Sequence, residues 1–217
     1  MKDIEQMNHR SVTEYYNSAI SKEYRNFDYF KTRENKISKL LQESIGKSVL
    51  DIGAGDCFWL KHFLDKVDFY IALEKGGENC QLIEKNFCSY EKKIHILNVD
   101  AFQFDYLNIN VETLFFGFFV SHFNFSSIIN LTQEIRLNVD FNKILILDSF
   151  WSDYRKNKFI DNGLKLQSRI VNKNGDITEI PKRYISLGNL QELSSVMKMK
   201  LDIKYLDEYW GFALLTK

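Results

Sequence analysis

The chain has 217 residues, of which 45% are hydrophobic and 15% aromatic, enough for one domain with a sizeable core. Lys and Arg number 29 and so do Asp and Glu, a neutral balance that argues against a nucleic-acid partner. Three cysteines (Cys57, Cys80 and Cys88) without a Cys-x-x-Cys pair speak against a disulfide frame and a zinc site, and point to a cytoplasmic protein with reduced thiols.

Residues 11–44 place Tyr15, Tyr16 and Ile20, then Ile37, Leu40 and Leu41, at helical spacing, and Gly46 closes the region. The first residues lack the apolar core of a signal peptide. From Lys47 onward strands and helices alternate. Strand VLDI (49–52) leads into a helix to about Asp65, with Phe58, Trp59, Phe63 and Leu64 on one face. Strand FYIALE (69–74) passes Gly76 and Gly77 into a helix through about Phe87, and strand IHILNVD (94–100) is followed by a polar-aromatic loop. Strand VETLFFGFF (111–119) precedes a helix from about Ser126 to Leu137 and strand KILILD (143–148). Its densest apolar run, Leu114 to Val120, is too short to span a bilayer, so no membrane role is expected.

This rhythm predicts an α/β, doubly wound, mostly parallel sheet with helices on both faces. Residues 150–186 then turn polar and charged, with a turn signal at Asn172–Asp176. A helix over about 188–198 and an antiparallel pair of strands, 201–207 and 209–216, complete the chain. The expected organisation is a single domain: a helical cap (1–45), a ligand-binding core (46–149), a substrate-side insertion (150–186) and a C-terminal helix and strand pair (187–217).

The turn after the first strand, Asp51-Ile52-Gly53-Ala54-Gly55-Asp56, admits three readings. Glycines serve a steep strand–helix connection without any ligand. A dinucleotide cradle requires Gly or Ala at position 58, where this chain has Phe58. The third reading draws on the rest of the chain. Glu74 ends the second strand, Asp100 ends the third in NVDAFQF, and FFGFFVSHF closes the fourth. In that order, with the acid-x-Gly-x-Gly turn, these residues resemble the motifs of the class I S-adenosylmethionine (SAM)-dependent methyltransferases.

The resemblance spans nearly the whole chain and implies a Rossmann-like seven-stranded sheet with an antiparallel last strand and a helical N-terminal cap. It implies that Gly53, Ala54 and Gly55 let the backbone approach the methionine part of SAM, while Asp51 orients its amino group. Glu74, with Lys75 beside it, would take the ribose hydroxyls, whose two donors match two carboxylate oxygens. Asp100 would hold the adenine amino group, Ala101 and Phe102 would supply a backbone donor and an apolar face, and Gly117 lies on the same edge. Cys57 stands where the family often has a third glycine.

Methyl transfer from SAM, leaving S-adenosylhomocysteine (SAH), needs positioning, desolvation and, for hydroxyl acceptors, a base, but no metal. His122 is the candidate base or orienting group; a structural histidine bonded to backbone is the alternative. His9, His62 and His95 lack that placement. Tyr15, Tyr16 and Tyr24 resemble the family's lid tyrosines, Tyr16 toward cofactor and the other two toward substrate, and read equally as apolar contacts of a helix. Arg33 is a partner for the cofactor carboxylate or a surface arginine. Phe119, Trp151 and Arg169 are candidates for contact with a small-molecule acceptor, and the insertion's cations would suit an anionic one. Amino-directed DNA methyltransferases carry [DNS]-P-P-[YFW] and cytosine C5 enzymes use Pro-Cys; neither occurs, Pro181 being the sole proline. The remaining alternatives are a catalytically silent SAM-binding protein, a protein or nucleic-acid methyltransferase and a nicotinamide-binding protein.

Overall fold

The computed structural model describes residues 28–151, 171–173, 176–178, 183–208 and 210–217. Helix α1 (Asp28–Ser44) is followed by β1 (Ser48–Ile52), a 3₁₀ turn (Leu60–His62), β2 (Phe69–Glu74), α2 (Gly77–Phe87), β3 (Ile94–Asn98) and β4 (Thr113–Gly117). Then come α3 (Phe125–Asn138), β5 (Lys143–Asp148), the short strands β6 (Val171–Lys173) and β7 (Asp176–Thr178), α4 (Leu187–Met197), β8 (Lys200–Leu206) and β9 (Gly211–Thr216). Seven strands form one sheet in the order β3-β2-β1-β4-β5-β9-β8. The first five are mutually parallel, and β9 runs antiparallel to both β5 and β8. The expected fold class is therefore the observed one. Strands β6 and β7 form a separate antiparallel pair flanking the predicted turn.

Alternation along the strands sorts side chains onto two faces. Leu50, Ile52, Leu114, Phe116, Ile144 and Ile146 are buried in one cluster with Ile128 and Ile135 of α3 and Leu190 and Leu193 of α4. Val49, Tyr70, Phe115, Leu145 and Leu147 are buried in the other, with Ile37 and Leu41 of α1 and Ile83 of α2. Full burial of such side chains contributes about 1.5–3 kcal/mol each, so both layers are needed to hold the sheet. Helix α4 is entered through a capping box: Asn189 N–H donates to Ser186 Oγ (3.1 Å) and Ser186 N–H to Asn189 Oδ1 (3.1 Å).

The helix expected from the glycine turn to about Asp65 is not formed. Gly53, Gly55 and Cys57 all have left-handed φ (+68°, +59° and +54°), which a right-handed helix cannot accommodate, and the chain proceeds through turns and the 3₁₀ segment. Trp59, Phe63 and Leu64 are buried all the same. Strand β3 stops at Asn98, two residues before Asp100, because Asp100 Oδ1 turns back to accept the Phe102 N–H (3.0 Å). Strand β4 is likewise shorter at both ends than its apolar pattern.

Candidate functional site

Sheet order reverses about β1, whose carboxyl end faces that of β4 across the switch point; open α/β sheets bind ligands there. The two ends touch: a Cβ on Gly53 would lie 2.2 Å from Phe119 Cδ2. At Gly55 the same construction meets nothing within 4 Å among the described residues, so this part of the turn is open with respect to them. Ala54 N–H donates to Leu73 O (2.9 Å), tying the turn to β2.

Beneath the turn lies Asp51, 4% exposed. Its Oδ2 accepts the Tyr70 hydroxyl, and its Oδ1 is buried with no hydrogen-bond partner among the described residues. Burial pushes the Asp51 carboxyl up to about 7; the Tyr70 bond opposes this and the nearby Glu74 charge adds to it. A buried carboxylate oxygen lacking a donor is costly unless a proton or a cation completes it. Either a proton or a hydrogen bond donated by a cationic group would complete this oxygen.

Cys57 is buried, with Sγ 3.6 Å from the Tyr70 hydroxyl. Its left-handed backbone costs about 1–2 kcal/mol for a residue with a Cβ, which is the physical reason a glycine suits the position. Phe118, at the end of β4, is a second such residue (φ +58°), and its ring stacks on Trp59 at 6.2 Å between centroids. Strained residues at two neighbouring strand ends are a mark of a functional edge.

Glu74 closes β2 with both oxygens engaged. Oε2 accepts the Gly55 N–H (2.8 Å), Oε1 accepts the Gly76 N–H (2.6 Å), and the Asn79 side chain bonds to it as well. Burial raises the Glu74 carboxyl above the usual range despite these bonds. A carboxylate offers about four lone-pair positions, so as placed Glu74 retains room for about one further donor. Lys75 Nζ pairs with Asp100 Oδ2 (2.8 Å), joining the ends of β2 and β3. Ala101 is buried, and the half-buried Phe102 stacks on Phe119 with centroids 6.1 Å apart.

Gly117 ends β4, and His122 follows in a 3₁₀ turn (Val120–His122), 3% exposed. Its position is pinned from both sides. Ser121 N–H donates to Asp148 Oδ2 (2.9 Å), while Arg183 N–H donates to Ser121 O (2.6 Å) and Arg183 Nη1 lies 3.4 Å from His122 O. Trp151, 38% exposed, meets the Tyr184 ring at 6.2 Å. Arg33 donates to Asp207 Oδ2, between β8 and β9, rather than pointing its donors only outward. Tyr15, Tyr16, Tyr24 and Arg169 lie outside the described residues.

The sequence therefore brings Asp51, Gly53, Ala54, Gly55, Glu74, Lys75, Asp100, Ala101, Phe102, Gly117, Phe119 and His122 to one edge of one sheet. Tyr70 and Asp148 were not foreseen as parts of it. Tyr70 sits inside the apolar run FYIAL, and only the register Val49↔Tyr70 reveals that it reaches two residues along the sheet to Asp51. Among the described residues, no group of three or more His, Cys, Asp or Glu side chains is placed to hold a metal ion.

Solved structures share this architecture. DhpI in complex with SAM and HEP has a TM-score of 0.76 at 16% identity, covering 97% of this chain and 98% of its own. The magnesium protoporphyrin IX methyltransferase ChlM from Synechocystis PCC 6803 with bound SAM has a TM-score of 0.63 at 8% identity, covering 95% of each chain. The chain has the class I methyltransferase fold. A SAM-dependent methyltransferase from Aquifex aeolicus adds a TM-score of 0.58 at 15% identity, with 94% of this chain and 96% of that one covered. No family model matches the sequence, and no curated protein matches it. Within this fold the edge described above is the carboxyl edge of the parallel strands, where β1 and β4 meet.

One consequence is testable at once. Glu74→Ala removes the acceptor of the Gly55 and Gly76 backbone N–H groups. Binding of SAH is expected to weaken by about 1–3 kcal/mol, read by calorimetry. Wild-type affinity in this variant would remove Glu74 from the site.

Proposed function

We propose that this chain is a SAM-dependent methyltransferase that transfers a methyl group to an oxygen or nitrogen of a small-molecule acceptor. The observation that carries the reading is the buried Oδ1 of Asp51, unpartnered among the described residues, beneath a left-handed glycine turn that is open to them at Gly55. That pairing suits a ligand with an ammonium group whose backbone-hugging part passes over Gly55. DhpI and ChlM, solved with SAM, support it by their fold.

In this reading Asp51 binds the ammonium group of SAM, and the Gly53–Gly55 backbone lies against the methionine part. Glu74 accepts a ribose hydroxyl, while its bonds to Gly55 and Gly76 keep the cradle closed. Asp100 takes the adenine amino group, with Ala101 and Phe102 against the ring and Gly117 at the floor. Lys75 holds Asp100 in place through their ion pair. SAM, when bound, supplies a methyl carbon already activated by positive sulfur. The protein's part is to align the acceptor for in-line attack and to exclude water. The rings of Phe119, Phe102 and Phe123, within 4.7–6.1 Å of one another, support a desolvated wall for that purpose.

His122 removes the acceptor's proton where the acceptor is a hydroxyl. Trp151 and the segment around Arg183 and Tyr184, which returns across the ends of β4 and β5, flank the acceptor. Tyr15, Tyr16, Tyr24 and Arg169 complete the lid and acceptor side in this proposal, and the protein acts in the cytoplasm. Arg33, whose Nε–H is bonded to Asp207, serves the cofactor carboxylate in this reading. The test is an acceptor screen with SAM, following SAH release and a mass gain of one methyl group. Turnover with any small hydroxylated or amino acceptor supports the reading. SAH binding without turnover on any acceptor would favour the silent binding protein.

A further inference from the structure

Tyr70 fills a place that no apolar residue needs to yield. It is the second residue of β2, fully buried in one apolar cluster with Val49, Cys57, Phe63 and Phe115. Yet it carries a hydroxyl, and that hydroxyl reaches along the sheet to Asp51 Oδ2, two residues beyond its register partner Val49. A carboxylate has two equivalent oxygens and a rotatable χ2, so a bond to one of them decides which is left for another donor. The Tyr70 bond fixes one oxygen and leaves the other, Oδ1, buried and without a donor among the described residues.

We propose that Tyr70 is the positioning residue of the cofactor site, its hydroxyl holding Asp51 Oδ2 so that Oδ1 is presented to the ammonium group of SAM or SAH. The inference rests on the cofactor reading above and adds to it a residue that touches no part of the ligand. Cys57 completes the arrangement from the turn side, its Sγ against the same hydroxyl.

The chain Cys57–Tyr70–Asp51 couples ligand binding to a proton. The titratable groups that bear on Asp51 are Tyr70 and Glu74, both from β2, and Cys57 from the turn; Asp56 in turn bears on Cys57. Burial and the Glu74 charge disfavour an ionised Asp51, whereas the bond from Tyr70 favours it. In the free protein the carboxyl is held up to about 7 by burial, so below that pH it is protonated. A bound ammonium favours the ionised form, and binding then expels the proton. Affinity for SAH therefore falls by about tenfold per pH unit below the midpoint. Removing the Tyr70 hydroxyl removes a bond to the charged form, so the midpoint moves up.

The experiment is calorimetric titration of wild type and Tyr70→Phe over pH 5.5–8.5, with SAH and with 5′-methylthioadenosine, which keeps the nucleoside and thioether but lacks the amino-acid end. Tyr70→Phe is expected to weaken SAH about tenfold at pH 7.5, to move the pH midpoint upward, and to leave methylthioadenosine within about twofold of wild type. An equal loss for both ligands would mean that Tyr70 serves only packing, and unchanged SAH binding with an unchanged midpoint would equally overturn the proposal. If Tyr70→Phe does not fold, 3-fluorotyrosine at position 70 gives the same answer: its more acidic hydroxyl donates more strongly and must move the midpoint down, and an unmoved midpoint refutes the assignment. Failure of wild type to bind SAH at any pH would overturn the cofactor reading itself.

Discussion

Gly53→Ala is expected to abolish SAH binding and to destabilise the fold. Two independent costs act at this position. Its φ of +68° lies in the left-handed region, where a Cβ costs about 1–2 kcal/mol. That Cβ would also sit 2.2 Å from Cδ2 of Phe119, whose ring is held by Phe102, Phe116 and Phe123. Overpacking of this kind costs about 1–3 kcal/mol more, a large share of the roughly 5–15 kcal/mol that holds a domain together. Relief of the clash must displace a ring packed on Phe102, Phe116 and Phe123 at the same strand ends, so the turn and its neighbours shift together. Gly55→Ala separates the two terms. It carries a similar backbone cost (φ +59°) but meets no atom of the described residues within 4 Å, so its effect on stability should be the smaller one. Thermal melts of both variants, with and without SAH, check the order. Equal melting points for Gly53→Ala and wild type would contradict the packing described here.

His122→Ala carries the second large effect, on turnover. A positioned general base contributes about 10²–10⁴ in rate, so kcat with a hydroxyl acceptor should fall by that factor while the affinity for SAH changes little. The backbone of residues 121–122 is fixed by Asp148 and Arg183 without the imidazole, so the truncation should leave this turn in place. His122 is nearly fully buried, and its removal leaves a cavity. His122→Gln, which fills more of the space without a comparable base, distinguishes lost packing from lost proton transfer. Turnover within a few-fold of wild type in both variants would return His122 to a structural role.

Strands β2 and β5 are legible to the residue because each is an apolar run bounded by charge or glycine: Phe69–Glu74 before Lys75-Gly76, and Lys143–Asp148 after Asn142. Helices α2 and α3 are legible within a residue or so for the same reason. The segment after β1 is not. Phe58, Trp59, Phe63 and Leu64 have helical spacing, but the left-handed backbone at Cys57 is a tertiary choice, made to carry the chain over Asp51 and Tyr70. A period of 3.6 says which residues are buried, and here it was right about Trp59, Phe63 and Leu64 while the backbone took another path.

The cradle's residue types were visible as a motif, whereas their mutual bonds were not. Nothing local indicates that Glu74 is shared with the Gly55 and Gly76 amides, or that Lys75 closes on Asp100. Arg33 meets Asp207 across 174 positions, a separation no periodicity reaches. Tyr70 is the plainest case: its neighbours are all apolar, and its one polar atom acts on a residue of another strand.

The central claim, that the glycine turn and the acids around it hold a sulfonium nucleoside, is tested most directly by titrating the purified protein with SAM, SAH and NAD in parallel at pH 7.5. Binding of SAM and SAH at one site, with no heat from NAD, is the expected result. Binding of NAD alone, or of none of the three, would leave the fold standing and contradict the function argued from it.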